Sequence, residues 1–209
     1  MLVRDIMSSP ALSIGPDITL ERAFRILCDE GIRHLPVVEE GRLVGVVSDR
    51  DLRLATSVLA MSQLSPTSPV SKVMSRAPMT ANASDPVEDV AFRMRERKVG
   101  CLPVMDDGQL IGIITGLDLL DALLRMTGVD KPSGRLEVRL PDHPGELARL
   151  TAFLSHRDLN IHSLLSYPEG PDWTRAVLRI GSIEIRALAQ DLRRDNFEVL
   201  WPPEKPCLR

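Results

Sequence analysis

Aromatic side chains are scarce: four Phe, two Trp and one Tyr make up 3% of 209 residues. So few rings leave little on which single-stranded bases could stack, and the core has to be built from aliphatic side chains and methionine. Cysteine is equally sparse. Cys28, Cys101 and Cys207 are an odd number, far apart and without CxxC spacing. That argues against a disulfide framework or a zinc site, makes buried structural thiols the expected role of Cys28 and Cys101, and makes the cytoplasm the default compartment. A basic excess is missing too: 26 Lys and Arg stand against 29 Asp and Glu, for a net charge of −3, the wrong sign for a nucleic-acid-binding face. No run approaches the roughly 18 apolar residues of a membrane span. Repeat structure starts at Val3, where a signal peptide would otherwise lie. The four histidines (His34, His143, His156, His162) show neither HxxxH nor HxH spacing, so no metal site is expected.

What the chain does contain is a duplication. Val3 to Ala55 lies on Val70 to Ala122 without a gap, at a constant offset of 67 positions. The strongest match is HLPVVEEGRLVGVVSDRDLRLA against CLPVMDDGQLIGIITGLDLLDA. Duplicated units of this size commonly cover faces that neither buries alone, which places function between the copies. Each copy reads as a short extended piece (Ala11–Ile14; Met79–Ala81), an amphipathic helix, two strands and a last helix. The first helices carry Leu20, Ala23, Phe24 and Leu27, and Val87, Val90, Ala91 and Met94, the second opened by Asp85-Pro86 as N-cap and first helical residue. Glu40-Gly41 and Asp107-Gly108 predict tight hairpin turns between the strands. Beyond a Gly/Pro/Ser break at Thr127–Gly134 the order becomes β-α-β-β-α-β, which is ferredoxin-like. The helix of its second half is expected to carry Ile183, Ile185, Leu188 and Leu192. The boundaries read as repeat 1 at 1–60, a linker at 61–69, repeat 2 at 70–127, a linker at 128–134, the C-terminal domain at 135–202 and a proline-rich tail at 203–209. The fold class is α+β.

Chemistry concentrates where each glycine-led apolar strand meets its last helix, at Ser48-Asp49-Arg50-Asp51 and Thr115-Gly116-Leu117-Asp118. A helix start offers free N–H groups and a positive dipole end to an anion. A Ser or Thr hydroxyl there can donate to phosphate, and an Asp one turn in can accept from ribose hydroxyls. Gly45 and Gly112 would let a ligand approach the strand backbone. The same spacing is also an ordinary helix cap with a favourable first-turn charge. Its recurrence in register moves the balance toward a ligand site.

With these motifs, residues 3–126 resemble a tandem pair of CBS domains, a Bateman module: the LPVV-type strand, the glycine-flanked hairpin and the G-h-h-[ST]-x-x-D junction all recur. The resemblance implies an adenosyl ligand (AMP, ADP, ATP or S-adenosylmethionine) in two clefts between the repeats. Each cleft takes its Asp and hydroxyl from one repeat and the residues before the LPV strand from the other. One set is therefore Thr115 and Asp118 with Ile32, Arg33 and His34; the other is Ser48, Arg50 and Asp51 with Val99, Gly100 and Cys101. The first has Arg33 and His34 for phosphate and is expected to be the stronger. Surface salt-bridging is the alternative role of Arg33 and Arg50.

Residues 135–201 resemble an ACT domain, through Asp142-His-Pro-Gly-Glu-Leu147 and Asp158-Leu-Asn-Ile161. That resemblance implies paired sheets in a homodimer and an amino acid or similar effector at Asp142, Gly145, Leu147, Asn160 and Ile161. Tight helix-to-sheet packing equally explains Gly145, and a turn conformation Asn160. The order CBS, CBS, ACT is similar to AcuB-type acetoin-utilisation proteins. It implies a ligand-sensing regulator acting on a partner protein or pathway, with no required cofactor and no catalysis. A dimerisation module with empty clefts is the second reading. An enzyme acting directly on acetoin is the third, and neither GxGxxG nor a P-loop is present for it.

Overall fold

In a computed structural model, which describes residues 1–60 and 62–204, the chain forms two compact units, Met1–Ala122 and Leu123 onward. Cys207 and most of the proline-rich tail lie outside the described residues.

In the first unit, α1 (Leu20–Asp29) starts at Thr19, whose hydroxyl oxygen accepts from the Arg22 N–H at 3.3 Å; it buries Leu20, Ala23 and Leu27. Gly31, at φ +64°, takes the left-handed conformation that ends it. The strands β1 (His34–Glu39) and β2 (Arg42–Ser48) form the expected hairpin, with Glu40 (φ +48°) and Gly41 (φ +78°) as its two-residue turn. Helix α2 (Asp49–Thr56) follows at once. The second copy repeats this with α3 (Val87–Arg97), β5 (Cys101–Asp106), β6 (Gln109–Thr115) and α4 (Gly116–Thr127), after the two-residue strands β3 (Ser75–Arg76) and β4 (Ala81–Asn82). The hairpin registers agree residue for residue at the offset of 67, down to an irregularity at Val37/Val38 and at Val104/Met105.

Three expectations change. The N-cap of α3 is Pro86; the Asp85 carboxylate instead accepts from the Asn82 N–H and from Arg93 at 2.6 Å. The extended piece Ala11–Ile14 shrinks to a single parallel bridge, Ile14 to Val37, because Pro16 beyond it has no N–H to continue the ladder. Its counterpart is β4, which pairs Ala81 with Val104 and Asn82 with Met105 in the same parallel sense.

The third concerns the segments at the head of each copy, which are exchanged. Val3 is fully buried among Ala81, Val90, Met94, Leu102, Val104 and Ile114, all of the second copy. Its N–H donates to Asp85 O, that of Arg4 to Ala83 O, and Ser8 bridges Ile113. Val70 is buried in the core of the first copy, its N–H donates to Ile18 O, and β3 adds Ser75 beside Val46 on β2. Gly45 and Gly112 exist for these arms. A Cβ on Gly45 would lie 2.7 Å from the Met74 sulfur, and one on Gly112 2.8 Å from Ser8 O and 2.9 Å from the Met7 sulfur. Space expected for a ligand is therefore filled by the neighbour's arm.

In the second unit, β7 (Gly134–Pro141), β8 (Ile161–Pro168), β9 (Trp173–Ile180) and β10 (Glu198–Trp201) form one antiparallel sheet in the order β10-β7-β9-β8. Leu136, Val138, Leu140, Ala176, Leu178 and Ile180 meet Leu150 and Leu154 of α5 (Glu146–Ser155) and Leu188 and Leu192 of α6 (Ile185–Arg194). Ile183, expected on that helix, precedes it and is exposed. Side chains of the opposite sheet face pair ionically. Glu137 accepts from Arg135 at 2.6 Å and Arg175 at 3.0 Å, and Glu169 from Arg139 at 3.1 Å and from Arg175. Burial works against the Glu137 carboxylate, yet these arginines hold its pKa below the ordinary range.

Candidate functional site

At both strand-to-helix corners a reciprocal cap has formed. The Ser48 N–H and hydroxyl donate to Asp51 Oδ2 at 2.9 and 2.7 Å, and the Asp51 N–H donates back to Ser48 Oγ at 3.3 Å. Thr115 and Asp118 reproduce this at 2.7, 2.8 and 3.5 Å. The capping alternative is thus realised at each corner. Ser48 and Thr115 already give their protons to the aspartates, so donation to a phosphate requires each hydroxyl to turn.

The first-turn donors are also partly engaged. The Asp49 N–H donates to Arg33 O at 3.0 Å and the Gly116 N–H to Gly100 O at 3.2 Å. These bonds tie the residue before each LPV strand to its own corner. The cap bonds use Oδ2 of each aspartate, which leaves Oδ1 as the acceptor with which a corner could meet ribose hydroxyls.

The opposing walls differ. Ile32 is half-buried and Arg33 exposed, while His34 is half-buried and stands directly across the hairpin from Ser48. Val99 and Gly100 are exposed; Cys101 is buried and stands across from Thr115. Arg50 and Leu117 point the contrast further, both exposed at the same helical position.

Across the copies, the His34 ring lies against Gly100, where a Cβ would come 2.8 Å from Nε2 and 3.1 Å from Cε1. Burial holds the imidazole below its usual pKa; Asp49 and Asp51 oppose that and Arg33 adds to it. The sequence grouped His34 with Asp118; the carboxylates that act on its ring are Asp49 and Asp51 of its own copy. Asp51 also acts on Cys101 of the other copy. Burial first, and that charge second, push the Cys101 thiol up to about 12, which makes it a poor nucleophile at neutral pH. Cys28, expected buried, is exposed on α1. Sequence reasoning missed the arms altogether; the paired methionines Met7 and Met74, one at each copy's head, were the available signal.

The ACT-like candidates do not converge within one chain. Asp142, Gly145 and Leu147 follow Pro141, which pairs with Trp173; Asn160 and Ile161 lie at the other end, where Ile161 pairs with Ile180. Seven steps of about 3.3 Å put these ends roughly 23 Å apart. Gly145 is glycine because of its φ of +98°, not because of tight packing: a Cβ there would touch nothing within 4 Å. The turn before β8 is made by Asp158 at φ +55°, while Asn160 O accepts from the Gly181 N–H at 2.9 Å.

Comparison with known proteins bears on both units. The CBS domain family model matches residues 3–57 and 70–125, together more than half of the chain, and the ACT domain model matches 134–192. A CBS domain-containing protein of Dictyostelium discoideum is 38% identical over 135 residues, covering 60% of this chain and 93% of that protein. An L-aspartate semialdehyde sulfurtransferase of Methanocaldococcus jannaschii is 34% identical, but the match spans only 22% of its length. Among solved structures, a CBS domain pair in complex with 5′-methylthioadenosine and S-adenosyl-L-methionine is 31% identical, with a TM-score of 0.54 over 63% of this chain and 98% of that one. CBSX2 in complex with AMP is 30% identical, with a TM-score of 0.54 over 60% and 97%. A putative acetoin utilization protein, AcuB, from Vibrio cholerae is 27% identical, with a TM-score of 0.54 over 64% and 98%. The chain belongs to the CBS domain family, as a tandem CBS pair followed by a C-terminal ACT domain.

Proposed function

We propose that this chain is a regulatory sensor that binds an adenosyl ligand (AMP, ADP, ATP or S-adenosylmethionine) between its two CBS repeats and passes the occupancy to a partner protein. The observation that carries the reading is the in-register pair of Ser/Thr-x-x-Asp corners, in a chain whose relatives bind AMP, 5′-methylthioadenosine and S-adenosylmethionine. Thr115 and Asp118 with Ile32 and Arg33 form the stronger cleft, with Arg33 as the cation for a phosphate; His34, grouped with them by sequence, is placed at the other corner, across from Ser48. Ser48, Arg50, Asp51, Val99, Gly100 and Cys101 form the weaker. A ligand favouring one arrangement of the repeats over another shifts the balance between them by its difference in affinity. Similarity to a putative acetoin utilization protein supports an output in the control of a carbon-utilisation pathway such as that of acetoin, and the reading places the chain in the cytoplasm. The protein is not itself a catalyst.

The ACT domain supplies the homodimer in this reading. Antiparallel pairing of β8 with its copy carries Asn160 and Ile161 of one chain to the sheet end that bears Asp142, Gly145 and Leu147 of the other. An amino-acid effector would be held there between chains.

A second reading, a dimerisation module with unliganded clefts, is favoured by the caps, which already use the corner hydroxyls. Thermal unfolding separates the two. At about 100 times its dissociation constant a ligand adds about 2.7 kcal/mol. At least one adenosyl compound is expected to raise the transition, and Asp118→Ala to weaken that shift more than Asp51→Ala. No shift with any of the four at millimolar concentration would leave the dimerisation reading.

A further inference from the structure

The two corners offer the same cap but not the same room. At the first, the residue across the hairpin from Ser48 is His34, and its ring reaches over to Gly100 of the other copy. On the adenosyl reading, a ligand at this corner would lie between Ser48 of one copy and Gly100 of the other. The imidazole starts opposite the one and ends against the other, in the path such a ligand would take. It is half-buried there, and Gly100, with no Cβ, is the residue that makes way for it: any side chain at that position would press on Nε2 and Cε1. Burial favours the uncharged form of the ring, against the pull of Asp49 and Asp51.

At the second corner the same two positions hold different residues. Across the hairpin from Thr115 stands Cys101, whose side chain ends at a single sulfur and is itself buried. In place of Gly100 is Arg33, which is exposed. Cys101 is too short to reach across as an imidazole does, and Arg33 is an exposed cation.

We propose that His34 occludes the Ser48–Asp51 cleft, so that the chain takes one adenosyl ligand, at the Thr115–Asp118 corner, and not two. This rests on the adenosyl reading above and adds to it a stoichiometry and the residue that sets it. The specificity of the pair is thus written in a side chain that excludes a ligand rather than in one that holds it.

Isothermal titration of the full chain with AMP and with S-adenosylmethionine tests it. The unaltered protein should bind one equivalent per chain, and Asp118→Ala should weaken that binding at least tenfold. His34→Ala should bind a second equivalent, which disappears again in His34→Ala/Asp51→Ala. His34→Ser provides a second opening variant should the alanine chain fold poorly, its folding checked by circular dichroism. Two equivalents in the unaltered protein, or a single equivalent retained in both folded His34 variants, would overturn the occlusion while leaving the adenosyl reading intact. No heat from either ligand with any of these chains would overturn both.

Discussion

The two CBS repeats agree in backbone and disagree in what they present. Their hairpins share one register and one turn, and their corners share one cap. Yet His34 and Cys101 occupy the same place, as do Arg33 and Gly100. On the last helices the contrast continues: Arg50 and Arg53 of α2 face solvent where α4 exposes Leu117 and Leu120. Interior positions are fixed by packing and so remain alike. Positions around the corners and on the outer helical faces are free to diverge, and there the halves differ in charge and shape.

That comparison can be broken most sharply at the strand glycines. In Gly112→Ala the new Cβ meets a backbone carbonyl, Ser8 O, at 2.8 Å, which cannot turn aside. In Gly45→Ala it first meets the Met74 thioether, a flexible side chain, with Ser75 O at 3.0 Å. Overpacking costs of order 1–3 kcal/mol; urea denaturation should place Gly112→Ala near about 3 and Gly45→Ala near about 1. Equal costs would mean that the arms are seated alike.

A middle-sized effect tests the exchange itself. Truncating fully buried Val3 to alanine removes two methyl groups at about 0.8 kcal/mol each plus a cavity, so about 2 kcal/mol in all. The loss of hydrogen-exchange protection should appear in the second copy, around Val90, Met94 and Val104, and not in the first. Val70→Ala should do the reverse, around Leu20, Leu27 and Val37.

The smallest effect is one of pH, and it belongs to one copy alone. An unfolded His34 takes up its proton near 6.5, whereas burial makes the folded ring resist it. Between the folded value and 6.5 the unfolded chain holds more protons, so stability rises with pH across that window. The contribution is whole above 6.5 and is lost as the pH falls toward the folded value. Comparing the unaltered chain with His34→Gln between about pH 5.5 and 7.5 should show a shallower slope in the variant. The equivalent Cys101, pushed up to about 12, supplies no such slope.

Much of the architecture was legible because it is local. Glu40-Gly41 and Asp107-Gly108 could hardly be anything but turns, and Leu20, Ala23 and Leu27 declare one helical face. The corners were legible as caps and as binding candidates alike, since one set of atoms serves both. What escaped the sequence was whose surface each element covers. Ser8 and Val3 make contacts too brief to leave an alternating pattern, and periodicity marks Val3 as apolar without saying that it is buried in the other copy. Gly45 and Gly112 were read as room for a ligand for the same reason: the residue that fills the room lies 29 and 105 positions away, at Met74 and Met7. The ACT candidates were close in motif but separated by strand direction, which only the register reveals.

The exchanged arms have a further consequence for how such a molecule can be divided. A chain cut in the linker would yield two halves, each with its own arm unseated and its own socket empty. Neither half is closed, and each is the natural plug of the other, so separately made halves should find one another and knit together. Two copies of a single half could satisfy the same demand. The linker between the repeats does not create their partnership; it only guarantees that the right partner is always at hand.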